Sequence, residues 1–367
     1  MKKLPKILVA VLLVLTLLFS VLACAEKPTT TPKEGPAGET YNLVFTVHSG
    51  PQTSYAQALN EWAADLKEKS NGRLIIDIYY GGTIAAAPDA VEFVQQGGAD
   101  ITWNTVSLNA SKFSRINVLS LYGEQLTSAP LATYVYKNLY KKSPAISSEF
   151  DALGLKVLGL HCLTPSLLAG TGKKLETLAD FKGVSIMSIS KTCISVLDAF
   201  GAAVIGVTPG DLYENYSKNV VSASLLDGSL YVSTKLYEHI KYLNTYNYNT
   251  ALCFIVMNQK KYNSLPADLQ KLLDSGFDTL SEKSALYAND EFKGFIDGTV
   301  KDKGIESYNA SPEVIAAIEA ELDRIIKAPW IESCKAAGYD PDEIQALVAK
   351  LIEEGRAQYG SEYDWFE

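Results

Sequence analysis

Apolar and polar positions alternate through Tyr41–His48, the period-two pattern of a half-buried strand. After a turn carrying Gly50 and Pro51 the period changes. Ala58, Leu59, Trp62, Ala63 and Leu66 recur at helical spacing, so Tyr55–Ser70 is predicted to be an amphipathic helix that stops at Asn71-Gly72. Arg73–Tyr80 reads as a second strand, Asp89–Gln96 as a short helix closed by Gly97-Gly98, and Ala99–Asn104 as a third strand. Strand, helix, strand, helix, strand over so short a span implies parallel pairing through crossover helices. The pattern returns downstream. Leu155–His161, Gly183–Ser188, Ala203–Val207 and Val221–Leu226 read as strands, with helices at Thr192–Phe200 and Asp211–Ser217. The apolar run Ala251–Met257 is a further strand. Leu269–Phe292, Pro312–Ile326 and Pro341–Arg356 are amphipathic, and predict a long helix and a helical tail packed around the second unit. The fold class is therefore α/β, with two parallel units.

The start of the chain follows different rules. Lys2, Lys3 and Lys6 precede an apolar run, Ile7–Ala23, broken only by Thr16 and Ser20. A basic start, an apolar core and a small residue before a cleavage point describe an export signal. The run falls short of the roughly 20 apolar residues that a membrane span needs. Cys24 directly after Ala23 resembles the bacterial lipobox, in which the thiol is lipidated and becomes the first mature residue. Residues 1–23 are thus expected to be a signal peptide, and 24–40 a lipidated Cys24 with a flexible tether. Residues 25–39 hold three prolines and no large apolar side chain, so they cannot repay the entropy of ordering. The protein is expected outside the cytoplasm, anchored to the bacterial membrane, and in the periplasm if the cell is Gram-negative.

Charge and rare residues narrow the chemistry. The 367 residues carry 33 basic and 42 acidic side chains, a net charge of −9, which argues against nucleic acid as a partner. Beyond Cys24 there remain Cys162, Cys193, Cys253 and Cys334, none at Cys-x-x-Cys or zinc-site spacing, so buried free thiols are expected. His48, His161 and His239 lie far apart. No HExxH, Gly-x-Ser-x-Gly or phosphate-loop motif occurs. No catalytic residue, metal or cofactor is predicted, and the chain does not read as an enzyme.

Several segments together resemble one family. Asn71-Gly-Arg-Leu-Ile-Ile-Asp-Ile-Tyr-Tyr-Gly-Gly82 resembles its early strand and turn, and Val91–Asp100 its Gly-x-x-Asp helix end. Leu175–Gly183 is similar to its Asp-Leu-Lys-Gly segment, with Phe181 for the leucine. Phe200–Val204, Pro209–Tyr213, Val220–Gly228, Val256–Asn258 and Leu265-Pro266 continue the likeness in order and spacing. The family is that of the substrate-binding components of tripartite ATP-independent periplasmic (TRAP) transporters. The resemblance implies a two-lobed periplasmic-binding-protein-like fold with discontinuous lobes, a long lobe-spanning helix and extra C-terminal helices. Residues 41–160 with about 250–283 would form lobe one. Residues 161–249 with about 284–367 would form lobe two and the C-terminal helices. It implies capture of a small organic solute between the lobes and delivery to small and large integral membrane subunits. Some members dimerise through C-terminal helices, which leaves a homodimer open. The alternative is the same fold as a ligand-sensing extracytoplasmic subunit of a membrane receptor. An exported lipoprotein enzyme is the remote third reading.

One departure bears on the ligand. The family's arginine in the strand after Asp-Leu-Lys-Gly, which forks onto a substrate carboxylate, falls on Met187, and residues 116–323 contain no arginine at all. A buried carboxylate without a cation must collect several hydrogen bonds or become neutral. The expected ligand is therefore not a simple dicarboxylate but an uncharged or weakly polar organic compound; the alternative is an anion held by a different cation, such as His161 or Lys191. The candidate contacts are Met187 and Ser188 at the inherited position, Trp103 and Asn104 ending the third strand, and His48 and His161 at strand ends. Tyr55, Tyr122, Tyr213 and Asn258 complete the set, as aromatic or amide groups near the expected cleft. Asp227-Gly228 reads as a turn.

Overall fold

The computed structural model describes residues 38–359. The signal segment, Cys24 and nearly all of the tether lie outside the described residues, as does the acidic, aromatic end. Among the described residues ten strands run in chain order as β1 (Tyr41–Val47), β2 (Leu74–Tyr79), β3 (Ile101–Thr105), β4 (Leu155–Gly170), β5 (Ser185–Ser188), β6 (Ala203–Gly206), β7 (Ala223–Asp227), β8 (Tyr242–Asn244), β9 (Thr250–Asn258) and β10 (Glu306–Tyr308).

β1 pairs in parallel with β2 and β3, as the alternation of strands and helices requires. Leu43, Phe45 and Val47 point to one face, where they pack with Leu59, Trp62 and Leu66 of the helix Ser54–Lys69. In the second lobe β5 pairs in parallel with β6 and β7. The halves are joined by β4 and β9, which run antiparallel to each other. The first part of β4 pairs with β9, and its last five residues pair with β7. The strand expected to end at His161 in fact continues to Gly170. Pro165 reads as a breaker, but its missing N–H falls at the register shift between Cys162 and Pro165, where no ladder bond is lost.

The predicted helix Leu269–Phe292 is two helices, Ala267–Ser275 and Phe277–Gly294, parted at Gly276. A Cβ at Gly276 would stand 2.8 Å from Trp62 Nε1, so glycine permits the close approach. The second helix is the spine of the molecule. Leu280 and Ala288 enter the core of the first lobe, and Phe292 that of the second. The Leu160 N–H donates to Ser281 Oγ at 2.9 Å, pinning the spine to β4.

The spine is also held where it meets the second lobe. A Cβ on Gly228 would overlap the Phe292 ring and touch Thr164 Oγ1 at 3.1 Å. Phe292 is fully buried and has no room to yield. Gly228→Ala is therefore expected to cost about 1–3 kcal/mol by overpacking. Urea unfolding would check this; an unchanged midpoint would show that the spine shifts freely.

The tail divides between the lobes. Val314, Ile318 and Ile326 pack with Phe181 and Leu197 of lobe two. Trp330, Cys334, Ile344, Val348 and Leu351 instead pack against Leu131, Val135 and Leu139 of the helix Ala129–Lys142, in lobe one. The expectation that the whole tail surrounds the second lobe is corrected here for the last two helices. Cys162, Cys193, Cys253 and Cys334 are free and buried. Among the described residues no helix is long and apolar enough to cross a membrane.

Candidate functional site

The C-terminal ends of β1 and β3 and the middle of β4 bring four candidates together. Trp103 Nε1 donates to His161 Nε2 at 2.7 Å. The Tyr55 ring lies flat on the indole, with centroids 4.6 Å apart and planes at 9°. His48 stands against the same indole at 5.0 Å, and Tyr55 lies 5.7 Å from His161. Tyr55 itself is fixed by donating its hydroxyl to Ser49 Oγ at 2.5 Å. Its place at the first turn of Ser54–Lys69 sets it over the strand ends. A ring so held presents apolar area at small entropic cost.

The indole N–H decides the state of His161. An acceptor at Nε2 requires the proton to sit on Nδ1, and that atom has no partner of hydrogen-bond geometry. Complete burial lowers the His161 pKa to about 3, and burial lowers His48 to about 4, so both rings are neutral at ordinary pH. His48 Nδ1 is likewise enclosed and unpartnered.

The remaining candidates are not brought to this cluster, or are occupied. Met187 is fully buried, on the face of β5 that packs with Leu212, Tyr216, Tyr231 and Phe292 inside lobe two. Its β7 neighbour, Ser224, is engaged by the Tyr216 and Tyr231 hydroxyls at 2.8 and 3.0 Å. Ser188 Oγ donates to the Leu225 carbonyl. Asn104 donates to the Ala87 carbonyl and accepts from the Thr105 N–H, tying the loop after β2 to the end of β3. Asn258 caps the next helix, accepting from the Lys260 and Lys261 N–H groups, and donates to the Val94 carbonyl. Tyr213 is exposed on the outside of lobe two, bonded to Glu238. Tyr122 lines a separate cavity of about 330 Å³ with Leu121, Gln125, Tyr246, Asn247 and Lys327.

Two residues outside the candidate set also reach the lobe junction. Asp227 ends β7 opposite Ser166 of β4 and accepts from Ser229 Oγ. Glu291 projects from the spine near Ser54, and its Oε2 is enclosed without a partner. Burial raises Asp227 to about 6 and Glu291 to about 7. The periodicity of the spine, with Leu280, Ala288 and Phe292 on its buried side, marks which positions face inward. That signal does not single out Glu291, which on such a helix reads as solvated surface. Among the described residues no group of side chains could hold a metal ion. What is assembled is a buried, stacked set of four rings, two of them histidines that are neutral at ordinary pH.

Comparisons with known proteins agree with this architecture. A solute-binding protein of Chromohalobacter salexigens is 22% identical over 247 residues, covering 65% of this chain and 70% of the relative. The TRAP solute-binding protein of Rhodoferax ferrireducens, solved with copurified benzoate, superposes with a TM-score of 0.73 at 20% identity, covering 88% of this chain and all (100%) of that one. That of Bordetella bronchiseptica, with bound (R)- and (S)-mandelate, gives 0.73 at 18% identity, covering 87% and 99%. Residues 45–333 match the model of the bacterial extracellular solute-binding proteins, family 7. The chain belongs to that family.

Proposed function

We propose that the protein is the extracytoplasmic receptor of a TRAP-type secondary transporter, tethered through a lipid on Cys24, and that it binds its solute without turning it over. The solute is captured between lobe one (41–160 with about 250–283) and lobe two (161–249 with the end of the spine). It is then handed to small and large integral membrane subunits. His48, Tyr55 and Trp103 stand on its first-lobe side, and His161 stands where β4 passes into the second lobe. The observation that carries this reading is the pair of α/β lobes spanned by β4, β9 and the spine, with the buried Tyr55–Trp103–His161 cluster bracing the place where β3 and β4 cross between them.

Benzoate and mandelate, the ligands of the two solved relatives, are carboxylates. In this chain the position inherited from the carboxylate-binding arginine is the sealed Met187. That supports a solute other than a simple dicarboxylate.

Mass spectrometry of protein extracted from its own membrane tests the proposal in two steps. Under native conditions a small noncovalent organic ligand is expected to leave with the protein. Under denaturing conditions the mass should lack residues 1–23 and carry acyl chains on Cys24. An unmodified Cys24 would remove the anchor. Conversion of the released solute by the purified protein would replace the receptor with an enzyme.

A further inference from the structure

The cavity beside Tyr122 draws its walls from both lobes. At about 330 Å³ it has the size of a small-ligand site. Tyr122 and Glu124 come from the segment after β3 in lobe one, and Tyr246 and Asn247 from the link between β8 and β9. Glu319, Leu322, Asp323 and Lys327 come from the part of the tail packed on lobe two. One wall is tightly built. Asn247 Nδ2 donates to the Gly123 carbonyl at 3.0 Å, and its Oδ1 accepts from the Ser166 N–H of β4 at 3.1 Å. A Cβ on Gly123 would stand 2.8 Å from the Asn247 carbonyl oxygen, so glycine permits this approach. The opposite wall includes Asp323–Lys327, a single π-helical turn of the kind that recurs at functional sites. None of the lining residues belongs to the cluster of His48, Tyr55, Trp103 and His161.

The lining is acidic and aromatic. Three carboxylates, Glu124, Glu319 and Asp323, stand against one ammonium, Lys327, which Asp323 already holds at 3.1 Å. Among the described residues the side chains of Glu124 and Glu319 have no ion-pair or hydrogen-bond partner. Arg356 reaches the Gln125 carbonyl at 3.5 Å but does not line the cavity. Water alone would satisfy two exposed carboxylates, so the decisive group is Tyr246. It is 8% exposed, yet its hydroxyl bonds nothing among the described residues. Native proteins seldom leave so buried a polar group without a partner. Burial, then the charges of Glu124 and Glu319, push its pKa up, in keeping with their common place around the cavity. The rings also have faces to offer. Tyr246 meets only Tyr248, at right angles and 5.4 Å, and Tyr122 touches no other described aromatic ring.

Tyrosine faces ringed by unpaired negative charge attract a cation. The backbone and amide acceptors of the tight wall are spent, since the Gly123 carbonyl takes the Asn247 amide and Asn247 Oδ1 takes the Ser166 and Asn249 N–H groups. A primary ammonium brings three donors that need acceptors, whereas a methylated ammonium needs none. We propose that this cavity is a second binding site, beyond the one that captures the solute, and that it takes a small quaternary ammonium ion bearing a hydroxyl. Tyr122 and Tyr246 supply ring faces, Leu121 and Leu322 apolar contact, and Glu124 and Glu319 the opposite charge. The Tyr246 hydroxyl donates to the oxygen of the ligand. Because the walls belong to both lobes, an ion that fits one arrangement of the lobes favours that arrangement.

Calorimetric titration of the mature protein with choline tests this, against the uncharged analogue in which carbon replaces the nitrogen. Choline should bind at least about tenfold tighter than the analogue. Glu124→Gln combined with Glu319→Gln should weaken choline by about tenfold or more. Both side chains are exposed, so the melting temperature of that variant should match the parent. Tyr246→Phe should weaken choline by roughly fivefold, and leave tetramethylammonium, which has no hydroxyl, unchanged. Tyr122→Leu removes a ring face and should weaken both ions by roughly fivefold. No choline bound at millimolar concentration overturns the site, and so does equal or tighter binding of the uncharged analogue. Choline affinity unchanged in the double glutamine variant and in Tyr122→Leu overturns it too, because the ion then sits elsewhere on the protein.

Discussion

Met187→Arg is expected to destabilise the protein by roughly 3–5 kcal/mol and to confer no affinity for benzoate. The side chain at this position is wholly enclosed by Leu212, Tyr216, Tyr231 and Phe292. The nearest polar groups are hydroxyls already committed. Tyr216 bonds the Ala169 carbonyl, Tyr231 bonds the Leu167 carbonyl, and both engage Ser224. A guanidinium has five donors and finds few free acceptors there. It would have to desolvate a charge and displace an aromatic ring of the cluster that Met187 shares with Phe292. Against a total stability of about 5–15 kcal/mol, a loss of that size removes a large part of the margin. Denaturant unfolding and a benzoate titration on the same variant would decide the matter. A stable Met187→Arg protein that binds benzoate would mean that this position opens into the cleft, and that an arginine there suffices to hold a carboxylate.

Much of this arrangement follows from periodicity. The alternation in Tyr41–His48 and the helical recurrence from Ala58 to Leu66 define elements that the structure contains within a residue or two, and the parallel pairing of β1 with β2 and β3 follows from their order. What periodicity leaves out has physical reasons. Proline stands within β4, yet it costs nothing at a register shift, so a strand serving two lobes looks like a strand and a loop. β8 and β10 have three residues each, too few for a period. The helix Pro341–Tyr359 shows a clear apolar stripe. Its destination depends on Leu131, Val135 and Leu139, and no spacing in the sequence links those two surfaces.

The same limit applies to the site. Strands are legible even where their ends are not, which is why His48 after β1, Trp103 within β3 and His161 within β4 lie together with Tyr55. Side-chain commitment is not. Asn104, Ser188 and Asn258 lie at strand ends too, but spend their hydrogen bonds on carbonyls and helix caps. Glu291 is hidden in the opposite way. On an amphipathic helix a glutamate reads as solvated surface, and only the packing of the spine against Ser54–Lys69 encloses one of its oxygens.

Trp103→Ala is expected to cost roughly 3–5 kcal/mol, because the indole fills the space between Tyr55, His48 and β4. Trp103→Phe separates packing from hydrogen bonding. Most of the ring remains, but His161 Nε2 loses its only donor while fully buried, for about 1–3 kcal/mol. His161→Leu has the converse effect, since it strands the indole N–H. The double variant should therefore be less destabilised than the sum of the two, with a coupling of about 1 kcal/mol or more. Acidity supplies an independent readout. The folded-state pKa of His161 is depressed to about 3 from an ordinary value of 6.5. Its contribution is fully present above pH 6.5 and is lost as pH falls from there toward 3, because the unfolded chain takes up the proton first. Asp227 and Glu291, with raised pKa values of about 6 and 7, act in the other direction. They penalise the folded state as pH rises through those values, so over much of the range between pH 4 and 7 the two effects oppose each other in the parent protein. Comparison with His161→Leu isolates one side. Denaturant unfolding at a series of pH values should show the parent losing stability relative to His161→Leu as pH drops below 6.5. Parallel profiles would mean that His161 is free to protonate in the folded protein, and that the Trp103 N–H does not hold it neutral.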